Sequence, residues 1–357
     1  MRIVIASDDT DDSDGAVGRV RVSAPAGLLG RLVAQLRRLI AGRAVPDVAG
    51  LASTCRGGGL ELTSQLADLQ RRYAEMIRST QAHIAAGRCY QLNCTVPVTA
   101  RLRRSGLLSR RVSADDIRLW LAMLPDQAMQ SGQQSRKLGH TGGYAAVLRW
   151  PGRSVVSLSP ECLVQADHGR IWTMPIKGSR PPSQGAELTE AEKDAAELAM
   201  IVDLARNDLG RLAHVGSVQV DGPETLVLDY IHHREATVSA RLRTGQTWRD
   251  IFCALFPAGS ITGAPKAAAM RHLRDLEQRL RGAYCGSIGW LAQGIHGPIG
   301  ACSVAIRTAE VHADQVRWQA GGGIVSDSDP DAEWHEVEVK STPFFRLVDG
   351  GSVAKPD

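Results

Sequence analysis

Short segments of strand-like pattern, each punctuated by glycine or a turn, constrain this chain more than any other feature. Residues 90–96 (Tyr90-Gln91-Leu92-Asn93-Cys94-Thr95-Val96) and 144–150 alternate apolar and polar side chains, and further strands are expected near 154–159, 170–174, 284–291, 299–306 and 314–320. Such segments bury one face only when they pair into sheets and pack against something else. Helical spacing supplies the covering layer. An amphipathic helix is expected at 28–39, a second from Leu66 to Ala86 stopped by Gly87, and others at 113–126 and 264–278. Thr189-Glu190-Ala191-Glu192 is a capping box that should open a helix running to about Ala205 and put Asp194 and Glu197 on one face. Asp329-Pro330 is a cap and first-turn pair for a last helix, on which Glu333, Glu336 and Lys340 share a face at i, i+3 and i+7.

The chain has 357 residues, a net charge of +4 and ordinary globular hydrophobicity, so it can bury a large core. The basic run from Arg101 to Arg111 lacks interleaved aromatics and reads as a solvated face, not a nucleic-acid surface. The aspartates between Asp8 and Asp14 lack the spacing of a calcium loop. Seven cysteines with no Cys-x-x-Cys pair suit a reducing compartment, and no segment approaches a membrane span, so a cytoplasmic protein is expected. Three regions are expected: a short N-terminal region (1–65), a catalytic domain (66–348) and a tail (349–357).

Pro175-Ile176-Lys177-Gly178-Ser179-Arg180 places a lysine in what reads as a Pro/Gly turn, where it can serve as a positioned amine nucleophile or simply as a solvated side chain. Gly321-Gly322-Gly323 lets backbone N–H groups approach an anion or marks a bulge, and Arg307 and Lys340 offer counter-charges. The faces bearing Asp194/Glu197 and Glu333/Glu336 can hold a hard divalent ion or be ordinary polar surface.

Taken in order, Tyr90–Asn93, Ser159-Pro160-Glu161, Pro175–Arg180, Asp203–Asp208, Phe256–Lys266, Tyr284-Cys285-Gly286, Ile306-Arg307-Thr308 and Ala320–Val325 resemble the chorismate-utilising enzymes, over about residues 68–345. The resemblance implies an α+β fold of two large, mainly antiparallel sheets packed together with helices outside, and a site in the cleft between them. Among the branches of the family it is nearest to the chorismate-aminating one, which forms 4-amino-4-deoxychorismate from chorismate and ammonia.

The roles that follow are implied by the resemblance. Glu161 is the general acid and Lys177 the nucleophile. Glu197 and Glu336, with Glu333 nearby, hold Mg²⁺. Tyr284, Arg307, Gly322, Gly323 and Lys340 line the carboxylate-binding region, Gly178, Ser179 and Ser260 contact substrate, and His233 lies near the ring. Gln91 stands where isochorismate- and salicylate-forming relatives carry a lysine base, and a glutamine cannot take a proton from water. The partner implied is a glutamine amidotransferase supplying ammonia in a heterodimer, since no segment resembles a glutaminase cysteine elbow. Anthranilate formation is the nearest rival, against which Lys177 stands where those enzymes usually have alanine. A non-catalytic chorismate-binding subunit is the rival of another class.

Three departures from the family pattern stand out. His233-Arg234-Glu235-Ala236 replaces the usual His-Leu-Val-Ser, Gly142-Gly143-Tyr144 replaces Pro-x-Pro-Tyr, and the region before residue 66 is short. The last two lead to the expectation that tryptophan does not bind.

Overall fold

The computed structural model describes residues 60–102, 144–150, 152–180, 192–228, 231–345 and 348. The expected helices at 28–39 and 113–126, the acidic cluster, the basic run past Arg101, Gly142-Gly143 and the 349–357 tail lie outside the described residues, as do most of the capping box and the Asp194 side chain.

Two sheets, antiparallel in every ladder, make up the fold. In the first, β1 (Leu60–Leu62), β2 (Gln91–Leu102), β14 (Gln315–Ile324), β13 (Thr308–His312), β4 (Arg153–Ser159) and β3 (Tyr144–Trp150) lie side by side in that order, with the two-residue β10 (Gly263–Ala264) also against β2. The second runs β11 (Ser287–Gly294), β12 (Gly297–Val304), β5 (Cys162–Asp167), β6 (Arg170–Met174), β9 (Ile231–Arg241), β7 (Ile176–Arg180), with β8 (Gln219–Leu228) also on β9. Residues 60–62 thus belong to the first sheet, ahead of the boundary expected at 66.

Helices cover each sheet. In α1 (Leu66–Ala85) the residues Leu66, Leu69, Tyr73, Met76, Ile77 and Thr80 recur at three- and four-residue spacing, and the apolar ones pack into the first core. Gly87, at φ +67°, follows the helix end as the sequence predicts. On β2 the even-numbered Leu92, Cys94, Val96, Val98 and Ala100 enter the same core, which leaves Gln91, Asn93 and Thr95 for the other face. That core also takes residues of α4 (Lys266–Glu277) and α5 (Pro330–Phe345), including Phe344 stacked on Trp318 at 5.7 Å. The second core joins Leu163, Ile171 and Val238 of the second sheet to Leu209 of α2 (Glu192–Gly210) and Ile251 and Leu255 of α3 (Trp248–Leu255).

Several expectations need correction. Lys177 is not in a turn: it lies in strand β7, with Gly178 at φ +66° and a register shift between Lys177 and Arg180. The glycine triplet does not follow β14 but forms part of it, paired with Cys94 and its neighbours on β2. Strand β11 starts at Ser287, so Tyr284 precedes it.

The chain passes between the sheets at four described points: Pro160-Glu161 links β4 to β5, the 3₁₀ turn Gly259–Ile261 leads from α3 to β10, α4 and the residues up to Gly286 lead from β10 to β11, and Ala305–Arg307 links β12 to β13. Two of the crossings are hydrogen-bonded to strand ends of the other, Leu158 N–H donating to Arg307 O (3.0 Å) and Val304 N–H to Glu161 O (3.1 Å). A buried charge cluster ties α4 to the first sheet: Glu277 accepts from Arg281 (2.8 Å), Thr95 N–H (3.0 Å) and Thr95 Oγ1 (2.7 Å), while Arg281 donates to the Asn93 and Ile261 carbonyls. No helix among the described residues is long and apolar enough to cross a membrane, and the six described cysteines are all free thiols.

Close approach of β14 to β2 yields a first prediction. A Cβ added at Gly321 would lie 1.9 Å from the Cys94 carbonyl oxygen, a backbone atom that cannot turn aside. Gly321→Ala should therefore lower stability by about 2 kcal/mol or more, read from urea denaturation. A wild-type midpoint would show that the two strands can separate at this point.

Candidate active site

Between the sheets lies a cavity of about 290 Å³, the scale of a small-molecule site. Glu161, Lys177, Gly178, Ser179, Glu197, His233, Ser260, Tyr284, Arg307, Gly323, Glu333, Glu336 and Lys340 all line it. Each of the four crossings brings a residue to it, namely Glu161, Ser260, Tyr284 and Arg307. Of the expected site residues, Gln91 and Gly322 are outside the lining. Gln91 is fully buried just behind Gly323, where an added Cβ would lie 1.9 Å from its Nε2 and 2.5 Å from Lys177 Nζ.

Lys177 is buried, with Nζ 3.6 Å from Glu197 Oε2. Glu161 is 2% exposed, and Ser260 Oγ donates to its Oε1 at 2.5 Å. Burial pushes the Glu161 carboxyl up to about 7, against the opposing pull of Ser260, Lys177 and the Ile176 amide. It can hold a proton near neutrality, as a general acid must.

Across the cavity, His233 joins the two halves. Its Nε2 is 3.1 Å from Arg307 Nη2 and its Nδ1 is 2.8 Å from the Gly178 carbonyl. A guanidinium can only donate, so Nε2 accepts and Nδ1 carries the hydrogen. Burial and the Arg307 charge push the imidazole down to about 3, so it is neutral here and orients the arginine. Arg307 also donates to the Lys340 carbonyl (3.1 Å) and stands at φ +51°. Lys340 Nζ donates to Gly321 O (2.8 Å) and pairs with Glu336 Oε1 (2.7 Å). Burial acts to raise the Glu336 carboxyl, but Lys340, Ser179 and Lys177 outweigh it and hold the group well below the usual carboxylate range.

Asp329 caps α5 as its sequence predicts, accepting from the Asp331 and Ala332 amides, and aims Glu333 and Glu336 at the cavity. The two carboxylates converge over Gly322: a Cβ there would lie 2.8 Å from Glu333 Oε2 and 3.5 Å from Glu336 Oε2. Among the described residues no group of three or more acidic, histidine or cysteine side chains is gathered closely enough to hold a metal alone. Two converging carboxylates with Glu197 on the same cavity do fit Mg²⁺, which is usually held by one or two carboxylates plus water and substrate oxygens.

Sequence reasoning did not single out Tyr73. Its hydroxyl accepts from the Gly322 amide at 2.9 Å and lies beside Glu333 and Glu336, so this N–H is engaged within the protein. Asn93, Arg180, Gln319 and His335 also line the cavity without having been given a role at the site. Asn93 and Arg180 had a signal, since they end the Tyr90–Asn93 and Pro175–Arg180 segments. Tyr73 had none, because its helical spacing is that of a core residue.

A family model described as chorismate binding enzyme matches residues 56–346. The chain belongs to the chorismate binding enzyme family. Among the relatives of this chorismate binding enzyme, aminodeoxychorismate synthase component 1 of Salmonella typhimurium is 38% identical over 276 residues, covering 74% of this chain and 55% of that protein. An anthranilate synthase component 1 of Haloarcula marismortui is 40% identical over 215 residues, covering 58% and 43%. The chain thus spans about half the length of the curated relatives it matches. Anthranilate synthase component I of Streptococcus pneumoniae superposes with a TM-score of 0.62 at 25% identity, over 89% of this chain and 66% of that one. The menaquinone-specific isochorismate synthase of Escherichia coli gives 0.65 at 21% identity, over 82% and 64%, a likeness of fold.

Proposed function

We propose that this chorismate binding enzyme aminates chorismate at C4, forming 4-amino-4-deoxychorismate, with ammonia delivered by a glutamine amidotransferase partner. The observation that carries the reading is the buried amine of Lys177 on the same cavity as a carboxyl able to hold its proton near neutrality, Glu161.

Lys177 Nζ, once neutral, attacks C2 of the ring. The double bonds shift, the C4–O bond breaks, and the Glu161 proton goes to the departing oxygen, which leaves as water. Ammonia then attacks C4, the double bonds shift back, and the C2–N bond to Lys177 breaks. The proton lost by the incoming ammonia balances the one the lysine regains.

Arg307, held by neutral His233, and Lys340 suit a substrate carboxylate. Glu333 and Glu336, with Glu197, would hold Mg²⁺, which when bound supplies positive charge for a second carboxylate. Replacing Glu336 should also free Lys340 from its partner, so Glu336→Gln should weaken Mg²⁺ about tenfold or more in a calorimetric titration while leaving the fold intact. Unchanged Mg²⁺ affinity would remove Glu336 from the ligand set.

Anthranilate formation is the second reading, supported by the 40% identity to an anthranilate synthase component. It requires amination at C2 and loss of pyruvate. Incubation with chorismate, Mg²⁺ and ammonium salts, followed by mass spectrometry of the products, separates the two. Aminodeoxychorismate without pyruvate is expected; anthranilate with stoichiometric pyruvate would replace the first reading, and no product from ammonia would favour a chorismate-binding subunit.

A further inference from the structure

Glu235 lies on β9, directly opposite Ile176 of β7 on one side and Glu224 of β8 on the other. Ile176 lines the same cavity as Glu161, and its amide favours the ionised form of that carboxyl, so Glu235 stands one strand from a neighbour of Glu161. The Glu235 charge also acts on Tyr144 of β3 and on Cys162 of β5, the residue following Glu161. Burial keeps the phenol and the thiol protonated, so neither brings charge to the cluster.

The groups facing Glu161 divide by sign. Ser260 from the 3₁₀ turn, Lys177 from β7 and the Ile176 amide all favour its ionised form. Opposing them are burial and Glu235. Glu235 is a charge that favours the acid form. Its own carboxyl, under burial and the charge of Glu224, is pushed up to about 7, the same range as Glu161. Two carboxyls in one poorly solvated region do not both ionise readily, so a proton stays with the pair.

We propose that Glu235 is a positioning residue for the Glu161 proton: a second carboxyl, one strand away, that offsets Ser260 and Lys177 and keeps Glu161 loaded as an acid. Its kinetic consequence rests on the amination reading, whereas the coupling of the two carboxyls does not. In that reaction the proton passes from Glu161 to the C4 oxygen as the C4–O bond breaks. The carboxylate left behind then faces Glu235, which favours prompt return of a proton from solvent.

The test compares Glu235→Gln and Glu235→Val, which remove the charge, with Glu235→Asp, which keeps it. In the free protein, infrared spectroscopy with ¹³C-labelled glutamate follows the protonated carboxyl band assigned to Glu161 by its loss in Glu161→Gln. That band should disappear about half a pH unit or more lower in the Gln and Val variants than in wild type, and stay near its wild-type position in Glu235→Asp. The alkaline limb of kcat/KM for chorismate should shift the same way, which a merely structural role would not produce. An unchanged Glu161 titration in both neutral variants would overturn the proposal. A shifted titration without turnover of chorismate would support the coupling and count against the amination reading.

Discussion

Alanine in place of Lys177 should lower the rate of aminodeoxychorismate formation on the order of a thousandfold or more while leaving chorismate bound within a few-fold of wild type. In the proposed reaction the amine is the bond-forming group, and the substrate's charges are met by other side chains. Arg307 and Lys340 keep their places without it, because they are held by His233, the Lys340 and Gly321 carbonyls and Glu336. Glu197 loses its 3.6 Å partner, so some change in Mg²⁺ dependence should accompany the loss. Mass spectrometry of wild-type protein quenched during turnover should find a substrate-derived mass on the peptide containing Lys177. Full activity in Lys177→Ala would exclude the covalent route and raise the anthranilate reading.

Glu161→Gln should reduce turnover by about a hundredfold to ten-thousandfold, since an amide cannot deliver the proton the leaving oxygen needs. It should also change stability, with a definite sign. The folded-state carboxyl titrates at about 7 in place of the usual 4.5 because it is buried. Stability that wild type has below the ordinary carboxylate range is therefore lost as pH rises through about 7, where ionisation is harder in the folded protein than in the unfolded chain. The neutral glutamine suffers no such loss. Wild type and Glu161→Gln should thus have similar stability differences from pH 3 to 4, and the variant should gain on wild type by on the order of 3 kcal/mol by pH 9. Urea denaturation at both ends of the range measures it. A gap that does not vary with pH would mean that Glu161 is solvated.

Much of this arrangement can be read from residues, and the failures have physical causes. Helix α1 was legible through its Leu66–Thr80 stripe and Gly87, and α5 through Asp329-Pro330, because both signals are local. Strand β5 was not, since Cys162, Leu163 and Val164 are buried in succession and the alternation that marks a half-buried strand is missing. The β8–β9 hairpin was hidden by register shifts and by charged residues such as Glu224 and Glu235 facing each other across the ladder. At the site, the Pro/Gly context pointed to Lys177 and the family resemblance to Glu161, but neither showed how they meet. Their proximity depends on the crossings between sheets, and such long-range geometry leaves no mark in a window of sequence. The glycine triplet was seen as an anion cradle or bulge. In the structure its lack of side chains gives Gln91, Lys177, Glu333 and Glu336 the space they occupy.

The pairing of β2 with β14 bears on how the molecule is made. Thr95 meets Gly321 and Asn93 meets Gly323, so the centre of the first sheet joins two strands from opposite ends of the described chain. Contacts of such high sequence separation form late, after loop closure has been overcome. Until β14 has left the ribosome, β2 and β13 each present an open edge that can pair with another chain. Nor does any single cut divide the protein into two fragments that each own a sheet. Assembly from halves would require the fragments to interlace, and a nascent chain stalled before Ile324 should be a client for chaperones well before it could bind anything.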